Sequence, residues 1–290
     1  MNRQATWHLK GYFLFLLIIS GCNMPHETPT SGKADVDGDV FFPAVVSTDE
    51  FSENALSFTK DENVLFLSRT TGWEHQSGHL SIRKDGLYQS PSPIQALDSI
   101  YNGAINPSGN QIIFCVKENG KENIYLLKKE NDEWSQAVNL SAESGVQGGY
   151  FHWWSDADLY FYISQDNGNI VQGKLLGDSL FLIDSLDKLN TKLGTEFSPF
   201  VDADKQFIIF SRYLEGEPSQ QGFFISFNLA QPDSTAWSIP QKIPSIPYGW
   251  NPYIHKGRKE FLYSNGDDIM RIPMEALGKE LEQLRRSASP

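Results

Sequence analysis

Glu53 and Glu196 are the carboxylates whose spacing invites a chemical reading. Glu53 lies eight residues before Asp61 and Arg69 eight after it, and Glu196 and Arg212 flank Asp204 at the same distances. If each hairpin is symmetric about its turn, Glu53 faces Arg69 and Glu196 faces Arg212 as cross-strand pairs. Such pairs can simply neutralise strand ends, or they can line a mouth and touch a ligand. Were the two carboxylates to act as acid and base, the chemistry would be polysaccharide hydrolysis or elimination. That needs carboxyl groups roughly 5 to 10 Å apart with one pKa raised. An arginine beside each opposes this, because a nearby cation favours the ionised carboxylate. Lys117 takes the equivalent basic position opposite Tyr101, and Asn265 takes it opposite Gly249, so the set is chemically uneven.

The remaining catalytic motifs are weaker. Gly177-Asp178-Ser179-Leu180 spells the nucleophile block of GDSL-type esterases, but the histidine that would serve it, His255, follows Pro252 and lacks the expected acidic partner block. No Walker loop or His-Glu-x-x-His is present. His75 and His79 would share a helix face, yet Gly72 and Gly78 mark a loop, so no metal site is expected. Asp35-Val36-Asp37-Gly38-Asp39 lacks the later ligands of a calcium loop and reads as acidic linker. Cys115 sits in an apolar strand and reads as a small core residue. No cofactor is implied.

Two aromatic segments, Tyr150-Phe151-His152-Trp153-Trp154 and Tyr248-Gly249-Trp250-Asn251-Pro252-Tyr253, offer a different chemistry. Trp154, Trp250 and Tyr253 can present ring faces to a sugar or a peptide. The alternative is packing between neighbouring sheets. Trp153 and Trp154 point to opposite sides of a strand, so at most one can enter a given interface.

The elements that must position these residues recur. Turns centred on Asp61, Gly109, Asp156, Asp204 and Gly257 are spaced by 48, 47, 48 and 53 residues, a propeller-blade period. Each turn precedes a continuous apolar run such as Val64-Leu65-Phe66-Leu67 or Phe207-Ile208-Ile209-Phe210, as a strand buried on both faces requires. Third strands follow, and outer strands open with Tyr88, Trp134 and Trp237, near prolines that an edge tolerates. The fifth repeat lacks an outer strand, and Val40 to Val46 is free to supply it. The prediction is an all-β fold, a β-propeller of five four-stranded blades whose N-terminal strand closes the last. A sixth is possible if one hides within 175–195.

Asn106-Pro107-Ser108-Gly109-Asn110-Gln111-Ile112-Ile113-Phe114, with Asn123-Ile124-Tyr125 and Trp134-Ser135, resembles the TolB-type, WD40-like propeller repeat, whose consensus is Ser-Pro-Asp-Gly, an apolar strand, Asp-Ile-Tyr and Trp-Ser-x-Pro. The resemblance covers residues 40 to about 277, although no repeat carries the full Ser-Pro-Asp-Gly. It implies a bacterial envelope scaffold for protein or glycan contacts, with catalysis an occasional addition.

Composition bounds the rest. Of 290 residues, 40% are hydrophobic and 13% aromatic, and the net charge is −12, which excludes a disordered polyelectrolyte and makes nucleic acid a poor partner. Arg3, Lys10 and the apolar run Tyr12 to Ile19 form a signal segment too short to span a bilayer. Its end, Ile19-Ser20-Gly21-Cys22, resembles the bacterial lipobox, which implies a lipid on Cys22 and anchorage in the cell envelope. The expected organisation is a signal peptide over 1–21, a lipidated cysteine and tether over 22–38, a propeller over 39–277 and a short helix or tail over 278–290. The expected function is a membrane-anchored, non-catalytic scaffold for a protein or glycan, with a propeller hydrolase or lyase as the alternative.

Overall fold

A computed structural model describes residues 38–72, 76–165, 168–192, 194–230 and 236–288. The expected signal peptide, Cys22 and His75 lie outside these residues. The described chain forms five antiparallel sheets running outward from a common axis, four of them in chain order and the fifth completed by the first strand of the chain. The innermost strands are Ser52–Phe58, Asn102–Ile105, Gly148–Trp153, Thr195–Val201 and Trp250–His255. The second strands, Val64–Thr70, Gln111–Glu118, Asp158–Ile163, Phe207–Tyr213 and Glu260–Ser264, hold the continuous apolar runs. Leu65, Phe66, Ile112, Ile113, Tyr160, Phe161, Ile208 and Phe210 are at most 1% exposed, because a neighbouring blade covers each face of these strands.

The fifth blade closes with the N-terminal strand. Asp39 pairs with Arg271 and Val40 with Met270, and the Phe41 N–H donates to the Ile269 carbonyl at 2.7 Å. Phe41 and Val46 are completely buried beyond it. No sixth blade is hidden in the described part of 175–195: Ser179–Asp184 is the outer strand of blade 3. The C-terminal helix spans Met274–Ala288, so the expected boundary at 277 falls inside it. It starts directly after Pro273 because its apolar stripe begins there, with Leu277 fully buried against Phe223, Phe261 and Tyr263, and Met274, Leu281 and Leu284 packed beside it.

Antiparallel order gives the ring two distinct faces. Turns between first and second strands, and hairpins between third and outer strands, share one face, here the turn face. The loops between second and third strands and the blade-to-blade crossovers share the other, the crossover face. Because Asp39–Val40 runs antiparallel to Ile269–Pro273, the chain enters the propeller from the turn face.

Adjacent blades are stitched at both ends of their inner strands. On the turn face the Lys60 N–H donates to the Pro107 carbonyl, Asn106 Nδ2 and the Ser108 N–H donate to Asp156, and Glu62 accepts from the Lys256 and Gly257 N–H groups at 2.6 and 2.8 Å. Nearer the crossover face, Ser211 Oγ donates to the Gly249 carbonyl and Ser264 Oγ to the Glu53 carbonyl, both at 2.9 Å. A serine near the end of the second strand in blades 4 and 5 therefore bonds to the next blade.

Four inner strands carry a bulge at one shared position. Ala55, Tyr150, Ser198 and Asn251 all adopt φ between 51° and 54°, and the register slips by one residue around each. The extra residue turns the strand so that more than alternate side chains face the axis. Blade 2 keeps a regular register at Gly103.

Candidate functional site

Glu53 and Glu196 occupy the same position in blades 1 and 4, and each is wrapped in the same way. The register pairs Glu53 with Arg69 and Glu196 with Arg212. Arg69 Nε lies 3.2 Å from Glu53 Oε1, and Arg212 Nε 2.6 Å from Glu196 Oε1. A threonine five residues upstream, Thr48 or Thr191, donates both its N–H and its hydroxyl to the carboxylate. Each arginine then reaches a crossover carbonyl, Val46 at 2.8 Å and Leu189 at 3.2 Å. Both glutamates are 0% exposed. The arrangement pins a crossover to the strand that follows it. Burial pushes the Glu53 carboxyl up to about 7, against the opposing pull of Arg69 and Thr48.

Tyr253 belongs to a chain of rings around the axis. Its centroid lies 4.5 Å from that of Phe58 and 5.4 Å from that of Phe200, and Phe200 sits 5.0 Å from His152. Inner strands of blades 1, 5, 4 and 3 thus each contribute one ring to an aromatic plug. Burial drives the His152 imidazole down to about 4, so at neutral pH it is an uncharged member of this stack.

Toward the crossover face, half-buried tyrosines and the buried Phe197 gather around Tyr150. Tyr101 lies 6.5 Å away edge-on, Tyr162 6.0 Å away and Phe197 5.0 Å away, while Tyr248 sits 6.1 Å from Trp250 in a T-shaped pair. Trp250 Nε1 donates to Asn54 Oδ1 at 2.9 Å, and a Cβ on Gly266 would come within 3.3 Å of its indole, so the ring is seated across the seam between blades 5 and 1. The amide nitrogens of Asn54 and Asn251 and Glu122 Oε2 have no hydrogen-bond partner. Burial pushes the Tyr101 phenol up to about 12 and raises Tyr150 and Tyr248 as well, leaving them as neutral donors. Glu122, opposite Lys117 in the register, has its carboxyl raised by burial. A mouth with ring faces and neutral hydroxyl and amide donors suits a ligand rich in acceptors and apolar faces.

Trp154 lies at the other end. Its Nε1 donates to the Asp202 and Ala203 carbonyls at 3.2 and 3.1 Å, and Lys205 Nζ stands 3.7 Å above its ring, so it joins the turn-face belt between blades 3 and 4. Trp250 and Trp154 therefore do not meet.

Tyr101, Tyr162 and Glu122 were not singled out as mouth residues, because they come from three different strand positions and share no motif. Buried His255 also joins an unanticipated cluster, with Nδ1 2.9 Å from Glu62 Oε2 and Nε2 3.0 Å from the Tyr88 hydroxyl. Ser179 sits in the blade 3 hairpin, far in the topology from His255 in blade 5. His79 bonds to Ser77, Cys115 is buried with its thiol raised, and the described residues hold no cluster of three metal-ligating side chains.

No family model matches the sequence, and no curated protein matches it. Solved structures are similar in arrangement. A protein described as TolB from Agrobacterium tumefaciens aligns with 73% of this chain and 69% of its own at 17% identity, with a TM-score of 0.48. TolB from Acinetobacter baumannii aligns with 77% of this chain and 54% of its own at 13% identity, TM-score 0.44. A thermostable family-43 glycoside hydrolase aligns with 76% of this chain and 88% of its own at 13% identity, TM-score 0.52. At these identities what is shared is architecture. Strand order and closure state that architecture directly: the protein is a five-bladed β-propeller, and TolB proteins are among its structural neighbours.

Proposed function

We propose that this protein is a lipid-anchored envelope scaffold whose propeller binds a protein or glycan at the crossover-face mouth, without catalysis. The observation that carries the reading is the ring cluster of Tyr101, Tyr150, Tyr162, Tyr248 and Trp250, gathered from blades 2, 3 and 5 and left half-exposed. Rings held rigidly by neighbours lose little freedom on binding, which is why aromatic residues dominate hot spots. Among the seven residues singled out from the sequence, Trp250 is the one this reading assigns to ligand contact. Glu53, Arg69, Glu196 and Arg212 hold crossovers, Tyr253 fills the plug and Trp154 seals a seam.

The propeller hydrolase or lyase draws support from the raised Glu53 carboxyl. It is disfavoured because Glu53 and Glu196 are the only carboxylates on the described inner strands, and both are spent on threonine and arginine. Envelope anchorage rests on the Cys22 motif. No described helix is long and apolar enough to cross a membrane. The net charge of −12 disfavours nucleic acid.

Screening the full chain on glycan and peptide arrays, followed by titration of Trp250→Ala against the best hit, tests the reading. A loss of about thirtyfold in affinity is expected, corresponding to about 2 kcal/mol for a hot-spot ring. Undiminished binding would remove the mouth from consideration.

A further inference from the structure

We infer that the turn face of the propeller rests on a lipid bilayer, through leucines at the tips of its outer hairpins, and that the aromatic mouth consequently faces away from the membrane. The inference rests on the reading of Cys22 as a lipidated residue, and adds an orientation and a contact surface to it. Its first support is the point of entry: the closing strand runs antiparallel to Ile269–Pro273, so Gly38 lies on the turn face, and only the 15 residues 23–37 separate it from Cys22. Fifteen residues reach at most about 50 Å even when fully extended, so the face where the chain enters is tied to whatever Cys22 is attached to.

The second support is independent of the tether. Of the eight large exposed apolar residues among those described, Ile82, Leu87, Leu176 and Leu229 lie at or beside the outer hairpins of the same face, while Phe181, Leu182, Ile183 and Ile239 lie along outer-strand segments of blades 3 and 4. Leu87 follows the Asp85–Gly86 turn of blade 1 and is 58% exposed; Leu176 precedes the Gly177–Asp178 turn of blade 3 and is 55% exposed; Leu229 follows the third strand of blade 4 and is 46% exposed. Ile82, opposite Val64 near the start of the second strand, extends the surface beside Leu87. Leucines about half exposed at hairpin ends contribute little to blade packing, and the antiparallel strand order puts all three on one face of the ring. A bilayer is the one partner that meets separated tips on a ring simultaneously, since it presents a continuous plane rather than a matching groove. Exposed Lys84, Lys256 and Lys259 on this face can approach lipid phosphates, whereas Asp85 and Asp178 beside two of the tips keep the contact from being mainly electrostatic.

Site-directed spin labelling of the full chain, purified from membranes and reconstituted in phosphatidylethanolamine–phosphatidylglycerol vesicles, tests this. Leu87→Cys, Leu176→Cys and Leu229→Cys are labelled singly, with Glu215→Cys on the crossover face as the reference; Cys115 is buried and does not compete. The three tips are expected to show several-fold lower accessibility to a water-soluble nickel chelate than position 215, higher accessibility to oxygen, and little change at high salt. Mass spectrometry of the N-terminal peptide reports acylation of Cys22 in the same sample. Unmodified Cys22 would refute anchorage and this inference together. Acylated Cys22 with tips as open to nickel as position 215 would overturn the orientation alone.

Discussion

The buried Glu53 carboxyl makes residue-scale energetics measurable. Its folded value, about 7, lies above its ordinary 4.5, so the folded state keeps a proton that the unfolded chain has released. Its contribution is therefore complete below pH 4.5 and is lost as pH rises toward 7. Urea unfolding between pH 4 and 8 is expected to show stability declining by up to ~1.4 kcal/mol per pH unit in that window, with the decline flattened in Glu53→Gln; equal slopes would contradict the burial argument. Tyr253→Ala is expected to lose about 3–5 kcal/mol of folding stability, as for a large core truncation, because Phe58 and Phe200 would lose their shared neighbour. Trp250→Phe keeps a ring in place but drops the bond to Asn54, and about 1 kcal/mol is expected from thermal or chemical melts. A larger loss at Trp250 than at Tyr253 would exchange their roles as mouth and plug.

At the scale of the element, closure of blade 5 by residues from the other end of the chain ties both ends into one ring. Deleting 39–46 is expected to lower the melting temperature sharply, because Phe41 and Val46 leave the core and the third strand of blade 5 is exposed as an edge. Deleting 23–37 is expected to leave it nearly unchanged, and matched melting curves would refute closure. Closure was legible in the sequence because the fifth repeat lacked an outer strand, but the strand itself is Asp39–Val40 alone, and the expected continuation to Val46 instead turns, burying Phe41 and Val46. The Glu53–Arg69 and Glu196–Arg212 registers were legible from symmetry about their turns. The bulges were not: Ala55, Tyr150, Ser198 and Asn251 share a backbone conformation but no side-chain chemistry. Those bulges decide which inner-strand residues meet at the axis, so the plug and the mouth could not be separated from spacing alone. Trp154, Trp250 and Tyr253 read alike in the sequence and lie in a turn belt, a mouth and a plug.

The whole molecule divides labour between two faces: stitched turns and leucine tips on one, half-exposed rings on the other. The central claim is that the mouth, rather than the inner-strand carboxylates, is where function resides. Titration calorimetry of one ligand against Tyr248→Ala/Trp250→Ala and against Glu53→Gln/Glu196→Gln, with each sample assayed for newly formed chain ends on polysaccharide, tests that claim most directly. The aromatic double variant is expected to lose a hundredfold or more in affinity, about 2.7 kcal/mol or above, while the carboxamide variant keeps its affinity at a lower melting temperature and no sample cleaves the ligand. Wild-type cleavage abolished in the carboxamide variant, with binding intact in the aromatic one, would contradict the account.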